Sequence, residues 1–297
     1  MAGTPTYAVP PTFLGIARSD PDADFVIAGI PMDIGTTNRS GTRDGPAAIR
    51  RASRMLTDGD HPEHRVEPAR MNVSDIGDFA LALGDIQGSL TAIQTRAESI
   101  DHLIALGGEH GITLALLRAL AQRLGHPVAL VHFDAHVDTW PDNFGQAYAH
   151  GSPFYHAINE GLVDPHRMIQ IGIRSPVAAE VIDWTVSRGV TVVSALDVHA
   201  SSPAAVAARI TEVVGDTPAY LSFDIDALDP AFAPGTGTPE IGGLASWQAQ
   251  AILRRLQPIR FIGMDLVEVS PAYDVSEITA LAAATMVWEY LALQGMR

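Results

Sequence analysis

The segment VALVHFDAHVD, residues 128–138, is the part of the sequence from which the fold is best predicted. Its first half is a short apolar run of the kind that forms strands buried on both faces of a parallel sheet. Its second half carries Asp134, His136 and Asp138 at intervals of two residues. Alternate side chains of an extended chain lie on one face, so these three should project together from the end of a buried strand.

Further apolar segments of the same kind alternate with longer helical patterns along the chain. The predicted strands are residues 25–29, 71–76, 103–106, 128–133, 168–173, 190–194, 219–223 and 261–265. The predicted helices include residues 112–124, 176–188, 203–214, 246–256 and 278–293. This alternation predicts an α/β fold, a three-layer αβα sandwich with a mostly parallel sheet of about eight strands.

The length and composition favour one large domain. The chain has 297 residues, 47% of them hydrophobic, and no charge block, linker or repeat divides it. We therefore expect a single domain over residues 1–297, with residues 1–23 as an N-terminal arm on the surface or against a neighbouring subunit. No apolar run has the length of a membrane helix, and the first residues do not resemble a signal peptide, which predicts a cytoplasmic protein.

The charge and the cysteine content narrow the range of ligands. The chain carries 34 Asp and Glu against 19 Lys and Arg, a formal charge of -15. Such a charge repels nucleic acids and anionic membranes and attracts a cationic substrate, although acidity also serves solubility. There are no cysteines, which excludes disulfides, thiolate metal sites and thiol nucleophiles. Any metal site must consist of nitrogen and oxygen ligands.

Two further motifs repeat the chemistry of the first. In YLSFDIDALDP, Asp224 and Asp226 follow an apolar run with the same spacing of two residues, and GGEHG supplies His110 directly after another predicted strand. Taken singly, an Asp-x-Asp pair is typical of a turn or a helix cap, and a lone histidine of a hydrogen-bonded core residue. Taken together, the three motifs bring nitrogen and oxygen ligands to three strand ends of one sheet, which favours a metal site.

The candidate ligands also indicate which metal the site would hold. They are His110, Asp134, His136, Asp138, Asp224 and Asp226. Carboxylates outnumber imidazoles, a mixture that suits Mn²⁺ better than the softer sites that select copper or zinc, with zinc and nickel as alternatives. Such a set can hold two ions if carboxylates bridge them, and a metal pair can generate a hydroxide nucleophile from water at neutral pH.

These motifs resemble the ureohydrolase family, which includes arginase, agmatinase, guanidinobutyrase, guanidinopropionase, proclavaminate amidinohydrolase and formiminoglutamase. The resemblance lies mainly in GGEH at residues 107–110, HFDAHVDT at 132–139 and SFDIDALDPAFAPGTGTPEIGGL at 222–244. GTTNRSGTRDGPAAIR from residue 35, AHGSPF from residue 149 and GMDLVEVSPAYD from residue 263 extend it over nearly the whole chain. The long third block is highly specific, and the overall similarity is greatest to agmatinase and guanidinobutyrase.

The resemblance implies an arginase-like and deacetylase-like fold with two manganese ions per subunit. The first ion would be held by His110, Asp134, Asp138 and Asp224. The second would be held by Asp134, His136, Asp224 and Asp226, so that Asp134 and Asp224 bridge the pair. The family commonly forms trimers or hexamers, so a homotrimer or homohexamer is expected.

The resemblance also implies the catalytic residues. His150 matches the histidine that shuttles protons near the leaving amine, and Glu268 matches the carboxylate that grips the guanidinium group. Asp138 is expected to accept a hydrogen bond from the attacking hydroxide and to carry a proton to the departing nitrogen. Glu109 and Gly111 depart from the usual Asp and Ser, and we expect Glu109 to orient His110.

The substrate is expected to be a small guanidinium cation, chosen by loops beyond the strand ends. The loop 139–149 contains Asp142 and no Lys or Arg, which favours the terminal ammonium of agmatine. Arg39 and Arg43 in a neighbouring loop favour instead a guanidino acid such as 4-guanidinobutyrate, 3-guanidinopropionate or a proclavaminate-type substrate. The same ligand motifs are also compatible with a single-zinc deacetylase on the same general fold and with a catalytically silent metal-binding homologue.

Overall fold

The computed structural model describes residues 10–297, and residues 1–9 of the expected N-terminal arm lie outside this range. Eight strands are found among the described residues: β1 (Phe25–Ile30), β2 (Val73–Asp78), β3 (Leu103–Gly107), β4 (Val128–Phe133), β5 (Val163–Ile173), β6 (Thr191–Ser194), β7 (Ala219–Asp224) and β8 (Phe261–Val267). They form one sheet in the order β2-β1-β3-β8-β7-β4-β5-β6, and every neighbouring pair is parallel. The sheet expected to be mostly parallel is therefore parallel throughout.

Helices connect the strands and cover the sheet. Within the described range they are α1 (Gly45–Ala52), α2 (Ile86–Ala97), α3 (Ile112–Leu124), α4 (Pro153–Asn159), α5 (Ala179–Ser187), α6 (Ala195–His199), α7 (Pro203–Val214), α8 (Ser246–Leu253) and α9 (Ile278–Gln294). Two apolar clusters lie between the sheet and the helices, one on each face of the sheet. One contains Leu106 and Val131 with side chains of α1, α7, α8 and α9, and the other contains Ala105 and Leu130 with side chains of α2, α3 and α4. The three-layer αβα prediction is confirmed.

The sequence predictions succeed where the periodicity is strong. The predicted bounds of β4, α3 and α7 coincide with those observed. Helices α1, α2, α4 and α6 were not predicted, because they are short or carry glycine and polar residues that weaken the apolar pattern. Strand β5 starts at Val163 and not at Met168, since its first residues include Pro165 and charged side chains that hide the strand.

The described part of the expected arm does not lie wholly on the surface. Phe13 and Leu14 are buried in the apolar cluster that faces α1 and α9. The Phe13 N–H donates to Asp75 Oδ2 at 2.8 Å, and the Leu14 N–H donates to Ser53 Oγ at 2.8 Å. The surface placement expected from the Pro-rich composition is wrong for these two residues, because their apolar side chains complete the core.

The sheet topology decides which strand ends meet. Strands β3, β8, β7 and β4 are neighbours at the centre of the sheet, so their carboxyl ends share one edge. Strand β8 lies between β3 and β7, and it brings Glu268 between the loop that carries His110 after β3 and Asp224 at the end of β7. In α/β sheets, ligands bind beyond these carboxyl ends. Among residues 10–297, no helix combines the length and the apolar character that crossing a membrane requires.

Candidate metal centre and active site

The predicted ligand His110 faces three carboxylates beyond the ends of the central strands. Its Nδ1 atom lies 3.1 Å from Asp134 Oδ2, 2.9 Å from Asp138 Oδ2 and 3.2 Å from Asp224 Oδ2. Although these oxygens are close, the buried Nδ1 forms no hydrogen bond with any group in residues 10–297. A buried nitrogen that faces three carboxylate oxygens without hydrogen-bond geometry fits coordination of a cation.

His136 forms a second cluster that shares Asp134 with the first. Its Nδ1 atom lies 3.2 Å from Asp134 Oδ1 and 3.1 Å from Asp226 Oδ2. Asp134 therefore faces one imidazole through Oδ1 and the other through Oδ2, as a carboxylate between two cations does. The remaining ligand pair is held by the backbone, because Asp224 Oδ1 accepts the Asp226 N–H at 2.8 Å. The structure thus brings together all of the sequence-predicted ligands.

Two candidate functional residues have backbone conformations that residues other than glycine rarely adopt. Asp138 has φ = 48° and Glu268 has φ = 65°, both in the left-handed region. Such a conformation costs about 1–2 kcal/mol for residues other than glycine. Backbone strain of this kind clusters at functional sites, where the surroundings hold a side chain in a required direction.

The electrostatics of the cluster favour cations. Burial, together with Asp226 and Asp134, raises the pKa of Asp224 well above its usual value, and burial also raises the pKa of Asp226. Burial opposes charge on His110 and His136, yet the neighbouring carboxylates outweigh it and raise the pKa of both imidazoles well above the usual range. Carboxylates packed this closely are stabilised when protons or metal ions neutralise them.

The far side of the His110 ring is held by a buried network that the sequence motifs did not reveal. Nε2 of His110 lies 2.9 Å from Ser222 Oγ, and this hydroxyl donates to Asp265 Oδ1 at 2.7 Å. Asp265 Oδ2 also accepts from Thr113 Oγ1 at 2.8 Å. Because Ser222 donates to Asp265, it accepts from Nε2–H of His110. The lone pair of Nδ1 is then directed at the carboxylates, as a metal ligand requires.

His132 is a further buried residue of the site that was not predicted from the sequence. Its Nε2 lies 2.7 Å from Asp134 Oδ2, and its Nδ1 lies 3.1 Å from Gln170 Nε2. The Gln170 amide nitrogen also donates to the Val137 carbonyl at 2.6 Å, so His132 Nδ1 accepts and Nε2–H donates to Asp134. His132 therefore supports a ligand. The signal for it was the same two-residue spacing that singled out Asp134 and His136.

His150 and Glu268 form a buried pair beside the metal cluster. His150 Nδ1 lies 3.0 Å from Glu268 Oε1, and His150 Nε2 lies 2.7 Å from the Thr37 hydroxyl. Burial disfavours the imidazolium, but Glu268 outweighs burial and raises the pKa of His150 to about 9. The same interaction overcomes the burial of Glu268 and lowers the pKa of its carboxyl group. His150 is therefore positioned to carry a proton at neutral pH.

The two oxygens of Glu268 have different surroundings. Oε1 accepts the backbone N–H of His110 at 2.8 Å in addition to its contact with His150. Oε2 is buried and, within the described part of the chain, has no hydrogen-bond partner. A buried carboxylate oxygen without a donor is costly, and a guanidinium ligand would supply the missing N–H group.

Glu109 does not have the contacts expected of it. The sequence led us to expect that it orients His110, but its Oε2 atom accepts the backbone N–H of Gly35 at 2.7 Å. The imidazole of His110 is held by Ser222 instead. Glu109 is fully buried, and burial raises the pKa of its carboxyl group to about 8.

A cavity of about 470 Å³ opens at the metal cluster. The residues of the site that line it are His136, Asp138, Asp224 and His150. Two oppositely charged side chains outside the cluster also line it, Arg39 and Glu240. Glu240 was not predicted; its Oε1 accepts from Ser175 Oγ at 3.0 Å and lies 3.9 Å from His136 Nε2.

In the described part of the chain, one of the three residues predicted to select the substrate lines this cavity, and that residue is Arg39. Arg39 stacks on the Tyr273 ring at 4.7 Å. Arg43 pairs with Asp33 at 3.4 Å, and both line a separate cavity of about 330 Å³. Asp142 is exposed and caps a turn by accepting the Gly145 N–H at 2.8 Å. The positions of Arg43 and Asp142 do not support the predicted roles, because neither residue lines the cavity, although other residues of both loops do.

Known proteins resemble this chain over almost all of its length. The sequence matches the arginase family over residues 23–292. It is 48% identical over 286 residues to the agmatinase of Photorhabdus laumondii subsp. laumondii, which covers 93% of this chain and 89% of that one. The structure resembles a hypothetical agmatinase from Burkholderia thailandensis, with a TM-score of 0.91, 43% identity and coverage of 98% and 92% of the two chains. It also resembles proclavaminate amidino hydrolase from Streptomyces clavuligerus, with a TM-score of 0.92, 39% identity and 99% coverage of each chain.

Proposed function

The chain belongs to the arginase family, and on that premise we propose that it hydrolyses agmatine to urea and putrescine. A role in polyamine synthesis follows from that product. The observation that carries the proposal is the unpartnered Nδ1 of His110 among three carboxylates, beside a buried Glu268 whose Oε2, in residues 10–297, also lacks a partner. The first fits a metal ion, and the second fits a guanidinium group.

We propose that the site holds two Mn²⁺ ions. One would be bound by His110, Asp134, Asp138 and Asp224, and the other by Asp134, His136, Asp224 and Asp226. The contacts of both Asp134 oxygens with different imidazoles support a shared carboxylate. When bound, such a metal pair lowers the pKa of a water molecule and stabilises negative charge on the attacked group.

The protein side chains would then perform the remaining work. Glu268 Oε2 would accept N–H groups of the guanidinium and hold its carbon in position for attack. His150 would hold a proton on its imidazole, beside Glu268 Oε1, and release it to the departing amine. Asp138, whose Oδ2 lies 2.9 Å from His110 Nδ1, would accept a hydrogen bond from the nucleophile. It would then carry the proton of the nucleophile to the departing nitrogen.

Agmatine is the preferred substrate on electrostatic grounds. The chain has a formal charge of -15, and Glu240 places a carboxylate in the cavity lining outside the metal cluster. A second ammonium on the substrate would be attracted to it. One observation favours a guanidino acid as the second candidate: Arg39 lines the same cavity and could pair with a terminal carboxylate.

We also propose that the whole chain forms one domain and assembles as a homotrimer or homohexamer. Seven parallel strand pairings in a single continuous sheet support the first part. Size measurement by light scattering would test the second part, which a monomer would contradict.

The proposed reaction is tested by urea release in Mn²⁺ from agmatine, 4-guanidinobutyrate, 3-guanidinopropionate, arginine and guanidine. We expect release from agmatine above all, and near-complete loss in His136→Ala and in Asp226→Asn. Asp142→Asn is the matched control, since it makes the same chemical change on an exposed turn. Full activity in both site variants would refute the assignment. Amide cleavage with a single zinc would favour a deacetylase, and metal binding without any turnover would favour a silent homologue.

A further inference from the structure

We infer that Glu109 is a positioning residue that fixes His150 by fastening the segment of residues 35–37 against it. The inference deepens the proposed function and rests on it for the role of His150. It assigns to Glu109 a task distinct from orienting the neighbouring His110.

The first step is the fit of the Glu109 carboxyl group. It is fully buried, and Oε2 accepts the Gly35 N–H at 2.7 Å. The other oxygen, Oε1, lies where side chains of two glycines would begin: a Cβ on Gly35 would be 2.6 Å from it, and a Cβ on Gly111 would be 3.1 Å from it. Both distances are shorter than an ordinary contact. The carboxyl group therefore fits here because both neighbours lack side chains.

The second step is the connection from Gly35 to His150. The Gly35 carbonyl accepts the backbone N–H of His150 at 3.3 Å. Two residues further along, the backbone nitrogen and hydroxyl of Thr37 lie 3.1 and 2.7 Å from His150 Nε2. One short segment thus holds both the backbone and the outer ring edge of His150, while Glu268 holds the inner edge at Nδ1.

The third step is the reach of the side chain. Removing one methylene from Glu109 would withdraw the carboxylate by about 1.5 Å, the length of one C–C bond. The 2.7 Å bond to Gly35 would then exceed hydrogen-bonding distance. Glutamine keeps the same length and one acceptor oxygen. We call the contact between Glu109 Oε2 and the Gly35 N–H the brace. It requires a side chain of this length with an acceptor oxygen, and it does not require a negative charge.

A structural experiment tests the brace without reference to catalysis. Amide hydrogen exchange would be measured on the Mn²⁺-loaded protein and on Glu109→Asp and Glu109→Gln, in the peptide that covers residues 33–41. We expect faster exchange in Glu109→Asp and near-native exchange in Glu109→Gln. Glu180→Asp is the matched control, since it makes the same shortening on an exposed helix. Unchanged exchange in Glu109→Asp, or equal acceleration in Glu109→Gln, would overturn the inference.

A kinetic experiment tests the route through His150. We expect Glu109→Asp to lower kcat on agmatine about tenfold or more, because small displacements of a catalytic group are costly. Bound Mn²⁺ and its dissociation constant should stay unchanged, which separates this route from an effect on His110. In a His150→Asn background, the added Glu109→Asp change should lower kcat no further. If the two substitutions lowered kcat multiplicatively, or if Glu109→Asp lost bound Mn²⁺, the route through His150 would be contradicted. If the wild-type protein releases no urea, the proposed function fails. The hydrogen-exchange experiment would still show whether Glu109 holds residues 35–37 in place.

Discussion

The Nδ1 atom of His150 lies 3.0 Å from Oε1 of Glu268, and both side chains are buried. The same Glu268 oxygen accepts the backbone N–H of His110, a proposed metal ligand. Glu268 therefore links the loop after β3 to the histidine proposed to donate a proton, while its second oxygen stays unpartnered within residues 10–297. One oxygen of this carboxylate therefore positions the imidazole, and the other is free, within the described residues, for the guanidinium group of the proposed substrate.

Glu268→Gln should strongly impair turnover of agmatine. The variant removes the charge that pairs with the guanidinium and with His150, an interaction between buried groups. We expect kcat/KM to fall by at least about 30-fold, which corresponds to about 2 kcal/mol. Steady-state urea release measures the effect, with Glu180→Gln on an exposed helix as the control. A change below about threefold would argue against the proposed grip.

The stability that His150 contributes should depend on pH. Burial lowers its pKa, but Glu268 and other nearby carboxylates raise it to about 9, above its usual value. A raised pKa stabilises the folded state fully below about pH 6.5, and this contribution is lost as the pH rises through about 9. The difference in free energy of unfolding between wild type and His150→Asn should therefore shrink, by on the order of 3 kcal/mol.

Urea denaturation of the metal-free proteins between about pH 6 and pH 10 measures this difference. His126→Asn is the control, because His126 is an exposed histidine before the amino end of β4, whereas the site lies beyond the carboxyl end of this strand. A gap between wild type and His150→Asn that stays constant over this range would show that the pair with Glu268 does not hold the imidazole proton.

His132→Phe should weaken metal binding without unfolding the protein. The ring of His132 is fully buried, and its Nε2–H donates to Asp134 Oδ2 at 2.7 Å. Phenylalanine fills a similar volume but removes the donor that orients this ligand. We expect Mn²⁺ affinity to fall about 10- to 100-fold, the usual range for groups that support a metal ligand. Titration calorimetry with Mn²⁺ measures it; native affinity in the variant would leave His132 with a packing role alone.

Glu240, and not Asp142, should discriminate between the two substrate classes. Glu240 lines the cavity, whereas Asp142 is exposed on a turn. We expect Glu240→Gln to raise KM for agmatine by about fivefold, the factor that about 1 kcal/mol represents for a partly exposed charge. KM for 4-guanidinobutyrate should not rise, and Asp142→Asn should leave both values unchanged. Equal increases for the two substrates in Glu240→Gln would remove the charge argument.

Much of the fold and the metal cluster could be predicted because the signals are local. The apolar run of β4 and the two-residue spacing of Asp134 and His136 are properties of a few consecutive residues in an extended chain. Strands that are buried on both faces are short, nearly continuous apolar runs, so they too can be recognised from a few consecutive residues. The proposed roles of His150 and Glu268 were inferred from resemblance to a known family and not from spacing, because the two residues lie 118 positions apart and meet only in the folded structure.

The sequence by itself determined which residue types stand at the strand ends and which side chains share a face, since strand periodicity depends on neighbouring residues alone. Only the tertiary structure decided that β8 places Glu268 between the carboxyl ends of β3 and β7, that His132 supports Asp134, and that Asp142 faces solvent. The physical reason is that strand order and loop direction result from packing across the whole sheet. Groups far apart in the chain meet there, and local spacing holds no information on their distance.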